Sequence, residues 1–494
     1  MSAPIDIGID FGTTNCAVGR VTLGGAVTTL GPERSVGAWA DGAAVFGEAA
    51  AELLESDRAD VAPIRDLKLL LGDNAWPQFD GATVDPVDLA AELLKHLAQL
   101  YYPGDRIGTT VFGTPVRVSR EHRRQLREAA TRAGFGAVRF VYEPTAALVG
   151  AWDHQRLTDA NVLVVDWGGG TLDLAVVQAD GSRFLEQGVS GDVNDLGGSR
   201  IDHVIAGRLL AKPRNRDAAG AVRGMEGGQQ RFAQAVEGAK RFLLEDAYGE
   251  EAEPVLINPD WLPREVELAP ADVYQVMREF AARASARVWE VVHKVGLRPE
   301  DLTHVLFAGG VCRSEIIRKE VRDRLPWLEL LDTPDDPQLQ TASGCARLAD
   351  SRRQTAVELA ADLAVRQSDS SLCVVLPGGQ PVELNSYRVA DFIVTDPTAT
   401  EAVFDVGVCR HSAEDGPAYS STASNYHSLD QVYLPTGESQ LPAGRYVPDM
   451  VRMHVGVDDC LAVGMRLESS RSGNVRQVYM SGVPLAIRVI GGLR

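Results

Sequence analysis

Two apolar runs, each interrupted by a glycine-rich turn, give the chain its plan. The first is Ile5-Asp6-Ile7-Gly8-Ile9, which enters Asp10-Phe11-Gly12-Thr13-Thr14-Asn15 and resumes at Ala17-Val18-Gly19. The second is Val162-Leu163-Val164-Val165, which enters Asp166-Trp167-Gly168-Gly169-Gly170-Thr171-Leu172-Asp173 and resumes as Leu174-Ala175-Val176-Val177. Each reads as a β-hairpin whose tip needs torsions that glycine supplies without strain. Both follow one order: apolar strand, Asp, aromatic, Gly, Thr, apolar strand. A motif repeated at about a domain's separation predicts two similar halves facing each other.

Between the hairpins, residues 86–101 carry Val87, Leu89, Ala90, Leu93, Leu94 and Leu97 at helical spacing. Val111–Val116 reads as a buried strand ended by proline, and Arg120–Ala133 as a helix stopped by Gly134. Phe140–Tyr142 is a strand that passes through Glu143-Pro144 into a helix, with proline suited to the first turn. Beyond the second hairpin, Gly197-Gly198 opens a helix, and 213–229 reads as a mobile Gly/Arg/Ala connection. Helices follow at Phe232–Leu244 and Ala271–Val295, then strand His304–Ala308 and Gly309-Gly310-Val311-Cys312-Arg313. From about residue 350 the texture changes. Ser351–Ala364 reads as a helix, and the remainder as short alternating strands, with a long loop over 410–430. The predicted domains are 1–350, a linker helix at 351–365, and a β-domain at 366–494.

Composition narrows the chemistry. The 494 residues hold 49 basic and 68 acidic side chains, a net charge of −19, with 45% hydrophobic and 24% charged content. Those are the proportions of a globular protein, and the acidic balance argues against nucleic acid or an anionic membrane as partner. The six cysteines form no CxxC pair, so neither zinc nor a disulfide framework is signalled, and a cytoplasmic location is expected. No run reaches a membrane span. Three adjacent glycines leave backbone N–H groups open to an anion. Flanking carboxylates suit a divalent cation arriving with phosphates and held through its water shell. Taken singly, Lys68 reads as a solvated helix residue, Glu143 as a cap, and Glu237 with Arg241 as an i,i+4 ion pair.

In order, Ile7–Asn15, Asp66-Leu67-Lys68-Leu69-Leu70-Leu71-Gly72, Tyr142–Ala147, Asp166–Asp173, Leu196-Gly197-Gly198, Glu237–Arg241 and Gly309–Arg313 form a series. This series resembles the 70-kilodalton heat-shock chaperone (DnaK) family, of the actin/hexokinase/heat-shock ATPase superfamily, over residues 5–350. The resemblance implies an α/β fold: a two-lobed actin-like ATPase domain of duplicated ribonuclease-H-like lobes, followed by a β-sandwich. It implies ATP/ADP and Mg²⁺ as cofactors, with slow ATP hydrolysis. Asp10, Asp166 and Asp173 would hold Mg²⁺ through water. Gly12, Thr13, Thr14, Asn15, Gly168, Gly169, Gly170, Thr171, Gly197 and Gly198 would line the phosphates. Lys68 would neutralise charge near the γ-phosphate, and Glu143 would position water. Glu237, Lys240 and Arg241 would line the nucleoside, with Gly309, Gly310 and Arg313 against the base. Pro115, Arg123 and Pro144 match positions that relay nucleotide state.

The series also departs from the family. Leu244 stands where the family has a serine, and Asp336-Pro337-Gln338-Leu339 replaces an acidic adenine-side segment. The apolar linker is not recognisable, the segment from Lys68 to Val111 is short, and no helical lid follows. A peptide or protein client at the β-domain and a co-chaperone are the implied partners. Two other functions are compatible with the residues: a nucleotide-gated scaffold without turnover, and a small-molecule kinase. The kinase would need a general-base Asp beyond the metal-binding set, and none is evident.

Overall fold

In the computed structural model the two hairpins seed two sheets on one plan. It describes all residues except 1–2, 56–57, 59, 74–75, 153–156, 190–194, 226, 246–251, 334–335, 397–398, 410–425, 437–447, 481–482 and 491–494. The first sheet runs Val138–Tyr142, Ile107–Thr114, Ile5–Phe11, Asn15–Val21, Val27–Arg34. The second begins Glu329–Leu330, His304–Ala308, Ala160–Trp167, Leu172–Asp180, Arg183–Val189. In each, the first three strands are parallel and the last two antiparallel. Val162–Val165 is unbroken by polar residues because both faces of this strand are buried.

Helix Gln340–Ala349 is buried along its whole length and packs on the first sheet and on helix Glu143–Trp152. Its approach explains a glycine: a Cβ on Gly344 would stand 1.7 Å from the Ala146 carbonyl oxygen. The predicted helix over 86–101 is present as Pro86–Tyr101, capped by Asp85, which accepts the Val87 N–H. Helix Arg120–Arg132 is capped by Ser119 and ends before Gly134, at φ +85°. Among the described residues, no helix is long and apolar enough to cross a membrane.

Three expectations are corrected. The stretch 213–229 contains a 3₁₀ turn at Pro213–Asn215 and helix Arg216–Gly224, and the next helix begins at Gly228. Ala218, Ala219 and Val222 are buried, and small alanines let this helix pack where composition suggested a loose connection. The linker helix over 351–365 is instead two strands, Gln354–Leu359 and Asp362–Arg366. Alanine and leucine favour helix locally, but pairing with distant strands overrides so weak a preference. The loop over 410–430 is strand from Tyr426 onward, within Tyr426–Pro435; residues 410–425 lie outside the described residues.

The C-terminal segment forms two four-stranded antiparallel sheets. One runs Leu372–Leu376, Asp362–Arg366, Glu401–Cys409, Tyr426–Pro435; the other Tyr387–Val394, Asp449–Val457, Val463–Ser469, Val475–Met480. Phe392 of one meets Phe404 of the other edge-on, ring centroids 5.4 Å apart. The alternation along Asp449–Val457, where Val451, Met453 and Val455 point inward, matches the predicted strand pattern.

One strand leaves this segment. Leu485–Ile490, expected within the β-domain, lies in the second sheet between Arg183–Val189 and Gln354–Leu359. Its Ile487 and Val489 are buried there. Fully buried Glu358 ties the three strands, at 3.0 Å from Arg183 Nε and 2.5 Å from Arg488 Nε. Both arginines are partly exposed, so most of the cost of breaking the group falls on the stranded carboxylate. Replacing both (Arg183→Met with Arg488→Met) is expected to destabilise the chain by about 3 kcal/mol in urea unfolding. A change under half that size would mean that the ion pairs are dispensable.

Candidate functional site

The two hairpin tips touch. A Cβ on Gly169 would stand 2.4 Å from Thr14 Oγ1, and the side chain of Thr13 lies against Gly170. The second turn is pinned by the start of helix Gly198–Ala211: Gly198 N–H donates to the Gly168 carbonyl at 3.0 Å, and Ser199 N–H to that of Gly169 at 2.8 Å. Gly197 permits this approach, since a Cβ there would be 2.1 Å from the Gly170 carbonyl oxygen. In the first turn, the Ser35 hydroxyl donates to the Gly12 carbonyl at 2.7 Å, and Asn15 begins the return strand.

Four carboxylates and one ammonium meet at these tips. Asp166 and Asp173 are directly opposed in the hairpin register, a like-charge pairing that costs free energy unless compensated. Thr171 Oγ1 donates to Asp173 Oδ2 at 2.9 Å. Lys68 Nζ donates to Glu143 Oε1 at 2.7 Å, with both side chains about nine-tenths buried. Burial pushes the Asp10 carboxyl up to about 7; the Glu143 charge adds to this and Lys68 opposes it. Asp166 is also raised well above the usual carboxylate range, by burial first and then by Glu143, Asp10 and Asp173. Burial alone would pull Lys68 down, but Glu143, Asp10 and Asp173 outweigh it and hold the ammonium charged.

Lys68 is placed by a one-turn helix, Leu67–Leu70, entered through Asp66 at φ 52°. His122 braces that turn from helix Arg120–Arg132. Its Nδ1 lies 3.0 Å from the Leu71 carbonyl oxygen. Burial, with the Lys68 charge nearby, lowers the imidazole to about 4, so it is neutral at physiological pH. The carbonyl can only accept, so Nδ1 carries the proton.

The residues expected around a nucleoside divide. Lys240 is buried and ion-paired with Asp202 Oδ1 at 2.6 Å, Glu237 is half-buried, and Arg241 is exposed. Gly309, at φ +82°, touches the second hairpin, where a Cβ would be 2.7 Å from Asp166 Oδ1. Its N–H donates to the Pro337 carbonyl at 2.9 Å. Gly310 faces the Gln338 side chain, and Arg313 Nε lies 3.0 Å from Asp336 Oδ2. The divergent 336–339 segment therefore abuts Gly309, Gly310 and Arg313. Sequence reading missed Asp202 as the partner of Lys240, although it follows Gly197-Gly198 within one turn of helix. It also missed the partners of Arg120, Arg123 and Arg127, whose spacing on one helical face was visible. Arg120 pairs with Asp458, and Arg127 Nη1 with Asp459 at 2.6 Å. Arg123 Nη1 donates to the Cys460 carbonyl at 3.1 Å.

A family model for Hsp70 protein matches residues 66–350, more than half of the chain. The chain belongs to the Hsp70 family. It is similar to "Chaperone protein DnaK" of Mycoplasmopsis pulmonis, at 28% identity over 335 residues, 65% of this chain and 54% of that protein. It also resembles "Chaperone protein DnaK" of Metamycoplasma hominis, at 27% identity over 338 residues, 65% of this chain and 55% of that one. The chain thus spans about half the length of the curated relatives it matches.

The Hsp70 family implies a magnesium nucleotide, and the donor set fits one. Oxygen ligands are what a hard divalent cation takes. Burial raises the carboxyls of Asp10 and Asp166, and a bound cation would displace protons from them. An acid whose folded value lies above its unfolded one makes the folded chain the tighter proton binder. The nucleotide-free chain therefore loses stability through Asp10 as pH rises from about 4 towards 7. A cation competes with that proton, so its binding strengthens over the same window. The rise in melting temperature from Mg²⁺ with ADP is expected to be larger at pH 8 than at pH 5.5. Equal rises would show that Asp10 does not hold a proton there.

Proposed function

We propose that this Hsp70-family chain binds ATP and hydrolyses it slowly, and that the nucleotide state acts on the C-terminal sheets and a peptide or protein partner. The reading rests on one observation: the Lys68–Glu143 pair lies among Asp10, Asp166 and Asp173 where two glycine hairpins meet. Residues 1–350 form a two-lobed, actin-like ATPase domain in this reading, supported by the recurrence of one strand order in both sheets. The two C-terminal sheets form a β-sandwich in this reading. The six free cysteines accord with the cytoplasm.

In this reading Asp10, Asp166 and Asp173 hold Mg²⁺ through water, and the cation supplies charge neutralisation at the phosphates. The hydroxyls of Thr13, Thr14 and Thr171 and the turn amides of Gly12, Asn15, Gly168, Gly169 and Gly170 donate to phosphate oxygens. Gly197 and Gly198 hold that turn in place. Lys68 is kept charged and immobile by Glu143, and the pair orients the attacking water; positioning and electrostatics are what phosphoryl transfer asks of a protein. Glu237, Lys240, Arg241, Gly309, Gly310 and Arg313 surround the nucleoside. Lys240 does so through Asp202, and Arg313 through Asp336.

A short path leads outward. Tyr142 precedes Glu143 and lies under the Arg123 guanidinium, 5.3 Å from its ring centroid. Arg123 Nε donates to Thr114 Oγ1 and Nη1 to the Cys460 carbonyl. A shift of Glu143 on nucleotide binding is thereby felt at the 458–461 turn of the C-terminal sheets. A client and a co-chaperone are the partners this path would serve.

The strand Leu485–Ile490 favours a second reading, a nucleotide-gated module with little turnover, because it holds the C-terminal sheets to the second sheet at both ends. Single-turnover ATP hydrolysis by the intact chain separates the two. The first predicts slow hydrolysis that Lys68→Ala reduces by roughly a hundredfold and that Arg123→Ala alters without abolishing ATP binding. Tight ATP binding with no hydrolysis in the wild type would leave only the second.

A further inference from the structure

The strands Gln354–Leu359, Pro381–Val382 and Leu485–Ile490 approach the outer strand of the first sheet, Val138–Tyr142, without closing on it. They leave a pocket of about 320 Å³, small for a ligand site but within the usual range. Val138, Leu348, Val357, Val382, Leu384 and Ile487 give it an apolar wall. Two charged side chains reach it. Asp459 is already neutralised by Arg127, at 2.6 Å.

Arg139 is not neutralised. Its Nη1 donates to Thr355 Oγ1 at 2.9 Å and its Nη2 to the Leu348 carbonyl at 2.7 Å, both uncharged acceptors. Its Nε is buried with no acceptor. Asp6 is close enough to favour the charge, but its Oδ1 accepts the Thr109 N–H, and no acid lies in ion-pair range of Arg139 among the described residues. Arg139 is half-buried, and a partly desolvated guanidinium held by neutral oxygens beside an apolar wall is open to a counter-charge. The complement is an anionic head on an aliphatic tail.

We propose that this pocket binds a medium-chain aliphatic carboxylate, its head group against Arg139 and its tail along the wall between the first sheet and the C-terminal strands. The walls come from both sides of that junction, so an occupant ties them together and stabilises the folded chain by mass action. The site is separate from the hairpin tips and does not depend on the chain's turning over ATP.

The test is calorimetric titration of the full chain with sodium octanoate and, separately, with octanol as the uncharged analogue. One saturable octanoate site per chain is expected, with octanol at least tenfold weaker. Arg139→Met should bring octanoate down to the octanol level, Arg139→Lys should restore part of the difference, and Val382→Trp should remove both by filling the pocket. Val382 lies on a short edge strand away from the Arg139 hydrogen bonds, so it decides the matter if Arg139→Met does not fold. The proposal is overturned if the wild type shows no saturable binding. It is equally overturned if octanoate binds a folded Val382→Trp chain as it does the wild type.

Discussion

Four carboxylates gathered around one lysine form a group that the fold holds together at a cost. Asp166 and Asp173 face each other across a hairpin, and Asp10 reaches the same place from the other hairpin. Burial and mutual repulsion raise the carboxyls of Asp10 and Asp166 above the usual carboxylate range, and the Lys68 ammonium opposes the shift of both. Such an arrangement persists only where the surrounding structure over-determines it. Here the supports are visible: His122 holds the turn that presents Lys68, Gly198 and Ser199 pin the second hairpin, and Gly309 wedges against Asp166. Each depends on an element from a different part of the chain. The site is thus a reason for the two sheets to stand as they do, and a stability cost that the apolar strands beneath must offset.

The sheets supply that support by repetition. Both carry a hairpin beside two parallel strands, and buried helix Gln340–Ala349 packs against the first sheet through small residues at close range. The second sheet is then extended by three strands from beyond residue 350. This changes what the C-terminal sheets can do. In a chain whose appended domain hangs on one linker, nucleotide state can release it outright. Here entry through Gln354–Leu359 and return through Leu485–Ile490 are hydrogen-bonded side by side, with Glu358 buried between two arginines. Movement of the C-terminal sheets must pivot on that pair of strands or break them.

Much of the site was legible in the sequence because its chemistry is local. Glycines that free a turn for unusual torsions and acids at the ends of its strands are both features of a few consecutive residues, as at 166–173, and the structure brings them together with Asp10 and Lys68. The alternating strands after residue 366 and the helices at 86–101 and 120–133 were legible for the same reason, periodicity being a local signal. What failed was non-local. Ser351–Ala364 has a helix-former's composition, but Gln354–Leu359 is strand beside distant Leu485–Ile490, and Asp362–Arg366 is strand beside Glu401–Cys409. Lys240 is a free cation in sequence and half of a buried pair in space, since nothing near it announces Asp202. Arg120, Arg123 and Arg127 declared a face but not its partner, which comes from the turn at 458–460.

That arginine face and the paired strands bear on coupling from opposite directions. Helix Arg120–Arg132 contacts the 458–460 turn through charged and polar groups; Arg123, Asp458 and Cys460 are buried, whereas Arg127 and Asp459 are partly open to water and that pair breaks at modest cost. The paired strands Gln354–Leu359 and Leu485–Ile490 bury Leu359, Ile487 and Val489 and have no such latitude. The junction therefore has an apolar edge and a polar one, and the Arg139 pocket lies between them, with Asp459 of the polar side and Ile487 of the apolar side both on its wall. A hinge at the strand pair would have to open at the arginine contact, parting Arg120 from Asp458 and Arg123 from the Cys460 carbonyl. Its stroke is set by how far Arg123 can leave the Cys460 carbonyl while Tyr142, one residue from Glu143, stays beneath it. In the proposed reading the strand pair would limit the size of a nucleotide response, and the ion-paired lysine at the hairpin tips would be where it starts.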